Sequence, residues 1–211
     1  MWPELALRTV RVVKFTDMSK RRSFSIILAS ASPRRRELLA EAGYQFAVVR
    51  PNVDESAFAA EAVTADEYAR RLALAKANNV AKRFAESLVI GADTVVDFAG
   101  GIIGKPTDAT EAEDITRKLF SAPHKVITGL AIVRASDGTE LTESEATTVY
   151  PRRLTAEQIA EHINSGAWRD KAGAYAIKEN HDDFIERIEG SLTNVMGLPI
   201  ELLRRMLTRI S

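Results

Sequence analysis

Ser25-Ile26-Ile27-Leu28-Ala29-Ser30-Ala31-Ser32-Pro33-Arg34-Arg35-Arg36-Glu37-Leu38-Leu39 decides the fold class. The apolar run Ser25 to Ala29 reads as a buried strand. Ser32 stands where a helix N-cap belongs, and Pro33 takes the first helical position, where its missing N–H is harmless. Three arginines then crowd the first turn. A helix N-terminus carries partial positive charge and favours acids, so cations are out of place there. They make sense if an anion, phosphate above all, binds against the backbone N–H groups and guanidinium planes. The competing reading is a solvated basic surface.

Outward from this unit, strands and helices alternate. Gly43 closes the first helix, and Gln45 to Arg50 reads as a second strand. Thr64 to Glu67 reads as a capping box opening a helix to about Phe84, with Tyr68, Leu72 and Ala75 on its core face and Lys76 sharing part of it. Ser87 to Ala92 reads as a buried strand that delivers Asp93 and Thr94 at its end. Val95 to Phe98 and Ile102-Ile103 form a hairpin, and Ala109 to Phe120 a helix. His124 to Ala135 and Thr139 to Tyr150 are an antiparallel pair, and Thr155 to Gln158 is a second capping box. A last strand covers Asp183 to Ile188, and a terminal helix starts near Leu198. The result is an α/β fold with a mixed sheet surrounded by helices.

Composition narrows the chemistry. The 211 residues carry 29 basic and 29 acidic side chains, so no overall field attracts a nucleic-acid polymer. With no cysteine, disulfides, thiolate metal sites and cysteine nucleophiles are excluded. His124, His162 and His181 lack metal-ligand spacing. No apolar run approaches the length of a membrane span, and a cytoplasmic location is expected. Residues 1–24 are basic and uneven; they read as a flexible arm or a misassigned start, with Met18 as an alternative initiator, ahead of one domain over residues 25–211. Gly104-Lys105 lacks the upstream glycine of a phosphate-binding P-loop, and no G-x-S-x-G elbow exists.

Several side chains are candidates for chemistry. Asp93, beyond an apolar strand, can bind Mg²⁺, activate water, or merely cap a turn. Asp54 and Glu55 are a second acidic site or solvated loop acids. Lys76 needs an anionic partner if it faces inward, and Lys105 sits in a rigid Gly-Lys-Pro turn.

In this order the pieces resemble the Maf family of nucleoside triphosphate pyrophosphatases. The matching elements are Leu28 to Arg35, Val53-Asp54-Glu55, Arg71-Leu72-Ala73 with Lys76-Ala77, Gly91 to Thr94, Gly104-Lys105-Pro106, Thr128-Gly129, Asp170 to Tyr175, and Val195 to Pro199. The resemblance covers residues 25–205. It implies a two-lobed α/β fold like that of the inosine triphosphate pyrophosphatases, a curved mixed sheet with the nucleotide in a central cleft. It implies attack of water on the α-phosphorus, releasing pyrophosphate. Ser30, Ser32, Arg34, Arg35, Lys76 and Lys105 would then bind the triphosphate. Glu55 and Asp93 would hold a divalent cation, Mg²⁺ with Mn²⁺ or Co²⁺ as substitutes, and Asp93 would be catalytic. The partner is a small nucleotide, not a membrane or a nucleic acid, and the family implies a homodimer.

Base specificity in the family turns on three positions. Arg34 and Thr94 resemble the dTTP/UTP type, whereas the 7-methyl-GTP type carries tryptophan and glutamine there. At the third, Lys178 departs from the glutamine of the first type and the glutamate of the second. Lysine only donates hydrogen bonds, whereas glutamine also accepts. dTTP and UTP are therefore the expected substrates. The alternatives are 7-methyl-GTP or a broader set, and a non-hydrolytic nucleotide-binding regulator of septum formation.

Overall fold

The computed structural model describes residues 14–16, 23–58, 63–169, 171–175 and 184–210. The strand expected at Ser25 is β2 (Ser23–Ala29), followed by α1 (Pro33–Glu41) and the short β3 (Phe46–Val48). Upstream, within the stretch read as an arm, Lys14–Thr16 forms β1. Then come α2 (Ala65–Ala81), β4 (Leu88–Phe98), β5 (Gly101–Ile103), α3 (Ala109–Leu119), β6 (His124–Arg134), β7 (Thr139–Pro151), α4 (Ala156–Asn164), β8 (Ile185–Glu189), α5 (Leu192–Val195) and α6 (Ile200–Thr208). The eight strands form one mixed sheet in the order β1-β2-β4-β6-β7-β8, with β3 also on β2 and β5 also on β4.

β2 runs parallel to β3 and β4, and every other pairing is antiparallel. One departure from the sequence reading matters for the site. β4 does not end at Ala92; it continues through Asp93 to Phe98, so Asp93 lies in mid-strand. β6 holds one edge of β4 from Val89 to Asp97 without a break. The other edge changes partner, from β2 up to Gly91 to β5 from Val96 onward. The strand end that opens beside Asp93 belongs to β2.

Side-chain alternation gives the sheet two packed faces. Ile27, Ala29, Val89 and Ala131 meet Ala73, Ala77 and Val80 of α2. Ile26, Leu28, Ile90, Ala92 and Leu130 meet Leu38 and Leu39 of α1 and Leu202, Leu203 and Met206 of α6. The buried face of α2 is Ala65, Ala69, Leu72, Ala73, Lys76, Ala77, Val80 and Ala81, so Ala75 is not on it. Small side chains let the helix lie almost flush on the sheet. A methyl on Gly91 would come within 3.0 Å of Ala73 O and Ala77 N, and one on Gly129 equally close to the Ala69 carbonyl. At these two positions only glycine fits beneath the helix.

Helix ends follow local chemistry. Ser32 Oγ accepts from Arg35 N at 3.4 Å and caps α1. The capping box at Thr155 forms in full. At Thr64 only the hydroxyl half forms, because the Glu67 carboxylate pairs with Arg71. The terminal helix expected from Leu198 is α6, and α5 precedes it as a separate turn.

At the start of β6, His124 is buried with its Nε2 2.6 Å from Tyr175 Oη. Burial holds its imidazole below the ordinary 6.5, against the raising effect of the Ala122 and Leu119 carbonyls. The unfolded chain therefore takes up this proton first. The neutral ring's contribution to stability is complete above about 6.5 and is lost as pH falls toward the lower folded value. Melting at pH 7.5 and 5.5 should show a larger loss for wild type than for His124→Gln; equal losses would remove His124 as a source of acid sensitivity.

Candidate active site

Where β2 stops, the chain turns through Ser30, Ala31 and Ser32 into α1. Ser30 Oγ accepts from Ser32 N at 3.1 Å, so the two serines shape this turn with their own hydroxyls. Beside the turn, Asp93 and Thr94 project from β4 to opposite faces of the sheet.

On the α2 face, Lys76 Nζ lies 2.6 Å from Asp93 Oδ1 and 2.7 Å from Glu55 Oε1. Lys76 and Asp93 are buried, whereas Glu55 is half-exposed. A buried ammonium is costly unless paired, and here two carboxylates share it. Lys105 Nζ, more exposed, is 3.9 Å from Glu55 Oε2. Burial raises the Glu55 carboxyl, but the Lys76 hydrogen bond and the charges of Lys76, Lys105 and Arg35 outweigh it and hold it below its ordinary range. Asp54 is not part of this cluster. Its Oδ1 accepts from Ser56 N at 3.0 Å and Ser56 Oγ at 2.6 Å, capping the one-turn helix Glu55–Ala57 and so aiming Glu55 inward.

On the α1 face, Arg35 is a brace. Its Nε donates to Gly197 O at 2.7 Å, Nη1 to Ala92 O at 2.9 Å and Nη2 to Thr94 Oγ1 at 2.9 Å. Three of its five N–H donors thus fasten β4 to the turn after α5. Burial lowers the guanidinium from its ordinary value, and the nearby charges of Asp93 and Glu55 oppose this. Arg34 lies beside it, half-buried, in the first turn of α1. Thr94 Oγ1 is 2.9 Å from Thr128 Oγ1, which is 3.1 Å from Asn194 O.

The structure thus brings together Ser30, Ser32, Arg35, Glu55, Lys76, Asp93, Thr94 and Lys105. Lys178 and Asp170 lie outside the described residues. Tyr68 packs against Ala65, Ala69, Val95 and Ile127, in keeping with its core reading, and burial together with the nearby charges of Asp93 and Glu55 raises its phenol. Two residues were missed as site residues. Thr128 carried no role beyond a Thr-Gly motif. Asn194 was not singled out; its amide donates to Val126 O at 3.0 Å and Thr147 Oγ1 at 2.9 Å, tying α5 to β6 and β7. Only a lone polar residue ahead of Val195 to Pro199 could have signalled it.

No three of the His, Asp and Glu side chains among the described residues are grouped to hold a metal ion. The chain does supply two carboxylates converging on one cation position. Those are hard oxygen donors of the kind Mg²⁺ takes together with phosphate oxygens and water.

A family model described as Maf-like protein matches residues 25–210. A dTTP/UTP pyrophosphatase of Geotalea uraniireducens (strain Rf4) is 45% identical over 186 residues, 86% of this chain and 95% of that protein. One from Citrifermentans bemidjiense is 43% identical over 176 residues, covering 83% and 90%. One from Symbiobacterium thermophilum is 43% identical over 184 residues, covering 87% and 93%.

Proposed function

The chain belongs to the Maf family and is, like the relatives it matches, a nucleoside triphosphate pyrophosphatase; we propose that dTTP and UTP are its substrates. One observation carries the assignment of the site: a buried ammonium held between Asp93 and Glu55, beside the open end of β2. Ligands of open α/β sheets bind at such strand ends. Asp93 and Glu55 are the residues that would hold Mg²⁺, or Mn²⁺ or Co²⁺ in its place. When bound, the ion neutralises phosphate charge and makes a water more acidic.

The chain's own groups divide the remaining work. Arg34, the two remaining N–H groups of Arg35 and the Ser30–Ser32 turn bind phosphate oxygens. Asp93 orients the attacking water and takes its proton as the oxygen bonds to the α-phosphorus. The bond from that phosphorus to the α,β-bridging oxygen breaks, and the electron pair leaves with pyrophosphate. Lys76 and Lys105 stabilise the charge gathering there. Lys76 spends two of its three N–H donors on Asp93 and Glu55, which leaves the third for a phosphate oxygen.

No helix among the described residues is long and apolar enough to cross a membrane. A cytoplasmic homodimer with one catalytic domain from residue 25 onward suits a soluble nucleotide substrate. Pyrophosphate release from dTTP, UTP, CTP, 7-methyl-GTP and the common purine triphosphates with Mg²⁺ tests the assignment. Preferred turnover of dTTP and UTP is expected. Preference for another base would overturn the substrate, and release from none would overturn the activity.

A further inference from the structure

We infer that Tyr68 is a further catalytic residue: its hydroxyl donates to a non-bridging oxygen of the α-phosphate, the phosphoryl group under attack. This rests on the proposed role of Asp93 and deepens it.

Packing and helix geometry bring the phenol to that place. The ring of Tyr68 packs on Ala65, Ala69, Val95 and Ile127. Val95 lies two residues, about 7 Å, beyond Asp93 on the same face of β4. The flank of α2 that carries Tyr68 is marked by Asn79. Asn79 Oδ1 accepts from Asn52 N at 2.9 Å, and its Nδ2 donates to Asn52 O at 2.9 Å. Tyr68 precedes Asn79 by about three helical turns, so it lies on the same flank, facing the chain that leads from Asn52 to Glu55. Along that edge β4 has no neighbour between Gly91, the last residue paired with β2, and Val96, the first paired with β5. The phenol therefore stands beside the gap in the sheet, near enough to Asp93 and Glu55 to feel both charges.

The hydrogen of this phenol is unspent. Tyr68 is half-buried, and its hydroxyl makes no hydrogen bond among the described residues. The acceptors near it, Asp93 and Glu55, turn to Lys76 instead. A phenol keeps its proton at neutral pH, so Tyr68 arrives as a donor with no acceptor. Substrate supplies one. On this face of the sheet the carboxylates repel phosphate oxygens, and Lys76 and Lys105 serve the departing pyrophosphate. The phosphorus attacked by the water at Asp93 has to come close to Asp93, and Tyr68 is the neutral donor standing there. Charge grows on that phosphorus's oxygens in the transition state, where a fixed donor helps most.

The test compares wild type, Tyr68→Phe and Tyr68→Leu. Phenylalanine keeps the ring on its cluster and removes an oxygen that bonds nothing in the fold; leucine removes the ring as well. The readouts are kcat for UTP, and Kd for UMP, which carries the α-phosphate, and for pyrophosphate, which does not. Tyr68→Phe is expected to melt with wild type and to lower kcat by about tenfold or more, the low end for one lost donor to a transition-state oxygen. Its Kd for UMP should rise by about fivefold, the scale of one hydrogen bond, and its Kd for pyrophosphate should stay within about twofold. Failure of either expectation, in kcat or in the split between UMP and pyrophosphate, would overturn the inference. Loss confined to Tyr68→Leu would overturn it too, because packing alone would then explain the residue. Normal turnover by Asp93→Asn would instead defeat the proposed role of Asp93, and the two dissociation constants would still decide where the Tyr68 hydroxyl binds.

Discussion

Asp93→Asn is expected to lower turnover of dTTP and UTP by about a hundredfold or more, the scale of a lost acid–base group. The amide is nearly the same size and keeps an oxygen that accepts from Lys76, now 2.6 Å from Asp93 Oδ1. What disappears is the negative charge that would take a proton from water and share a cation with Glu55. Lys76 retains Glu55 at 2.7 Å, so the ammonium is not stranded and the fold should survive. The loss should therefore lie in kcat, with a melting temperature close to wild type. Turnover near the wild-type value would remove Asp93 from the reaction.

Gly129→Ala should be among the most destabilising single methyls in the described structure. Its new carbon would lie closer than 3.0 Å to Ala69 C, Ala69 O and Arg70 N. These are backbone atoms of α2, which cannot rotate away as a side chain can. The helix must lift off β6 or the sheet must bend. Overpacking of this kind costs about 3 kcal/mol, a loss of roughly 6–12 °C in a domain of this size. Lifting α2 also withdraws Lys76 from Asp93, so activity should fall with stability. Gly101→Ala is the control, because its methyl meets only Phe98 O at 3.4 Å, and it should stay within about 0.5 kcal/mol of wild type. Equal melting temperatures for the two variants would contradict the flush packing.

The elements were legible where pattern and punctuation agreed. Alternation in β6 and β7, with the turn at Ser136-Asp137-Gly138, marks a hairpin whose eleven cross-strand pairs run from His124 opposite Val149 to Arg134 opposite Thr139. Ser32-Pro33 marks the start of α1. The course of β4 was not legible. Asp93-Thr94 reads as punctuation after an apolar run, yet the strand continues because β6 pairs along its whole length, a nonlocal fact. The core face of α2 was misplaced at Ala75 because alanine suits either side of a helix; the glycines beneath Ala69 and Ala73 decide which alanines are covered. Within the site, charged residues announced themselves and their neutral supports did not. Lys76 and Asp93 draw notice by burial of charge, whereas Thr128 and Asn194 are neutral and support the site through hydrogen bonds alone.

The flush seat of α2 also bears on how the chain finds its register. Adjacent residues of β4 serve opposite faces, so a slip of one position against β6 would send the Asp93 carboxylate to the α1 side and the Thr94 hydroxyl to Lys76. Asp93 and Gly129 pair across a long stretch of chain, the kind of contact that forms late and admits mistakes. A strand slipped by one would bring Ala92 or Leu130 under the helix where Gly91 or Gly129 belongs, and α2 could not dock on it. The two glycines thus proofread the sheet: a molecule whose helix closes down has, by that act, placed its carboxylate on the correct side.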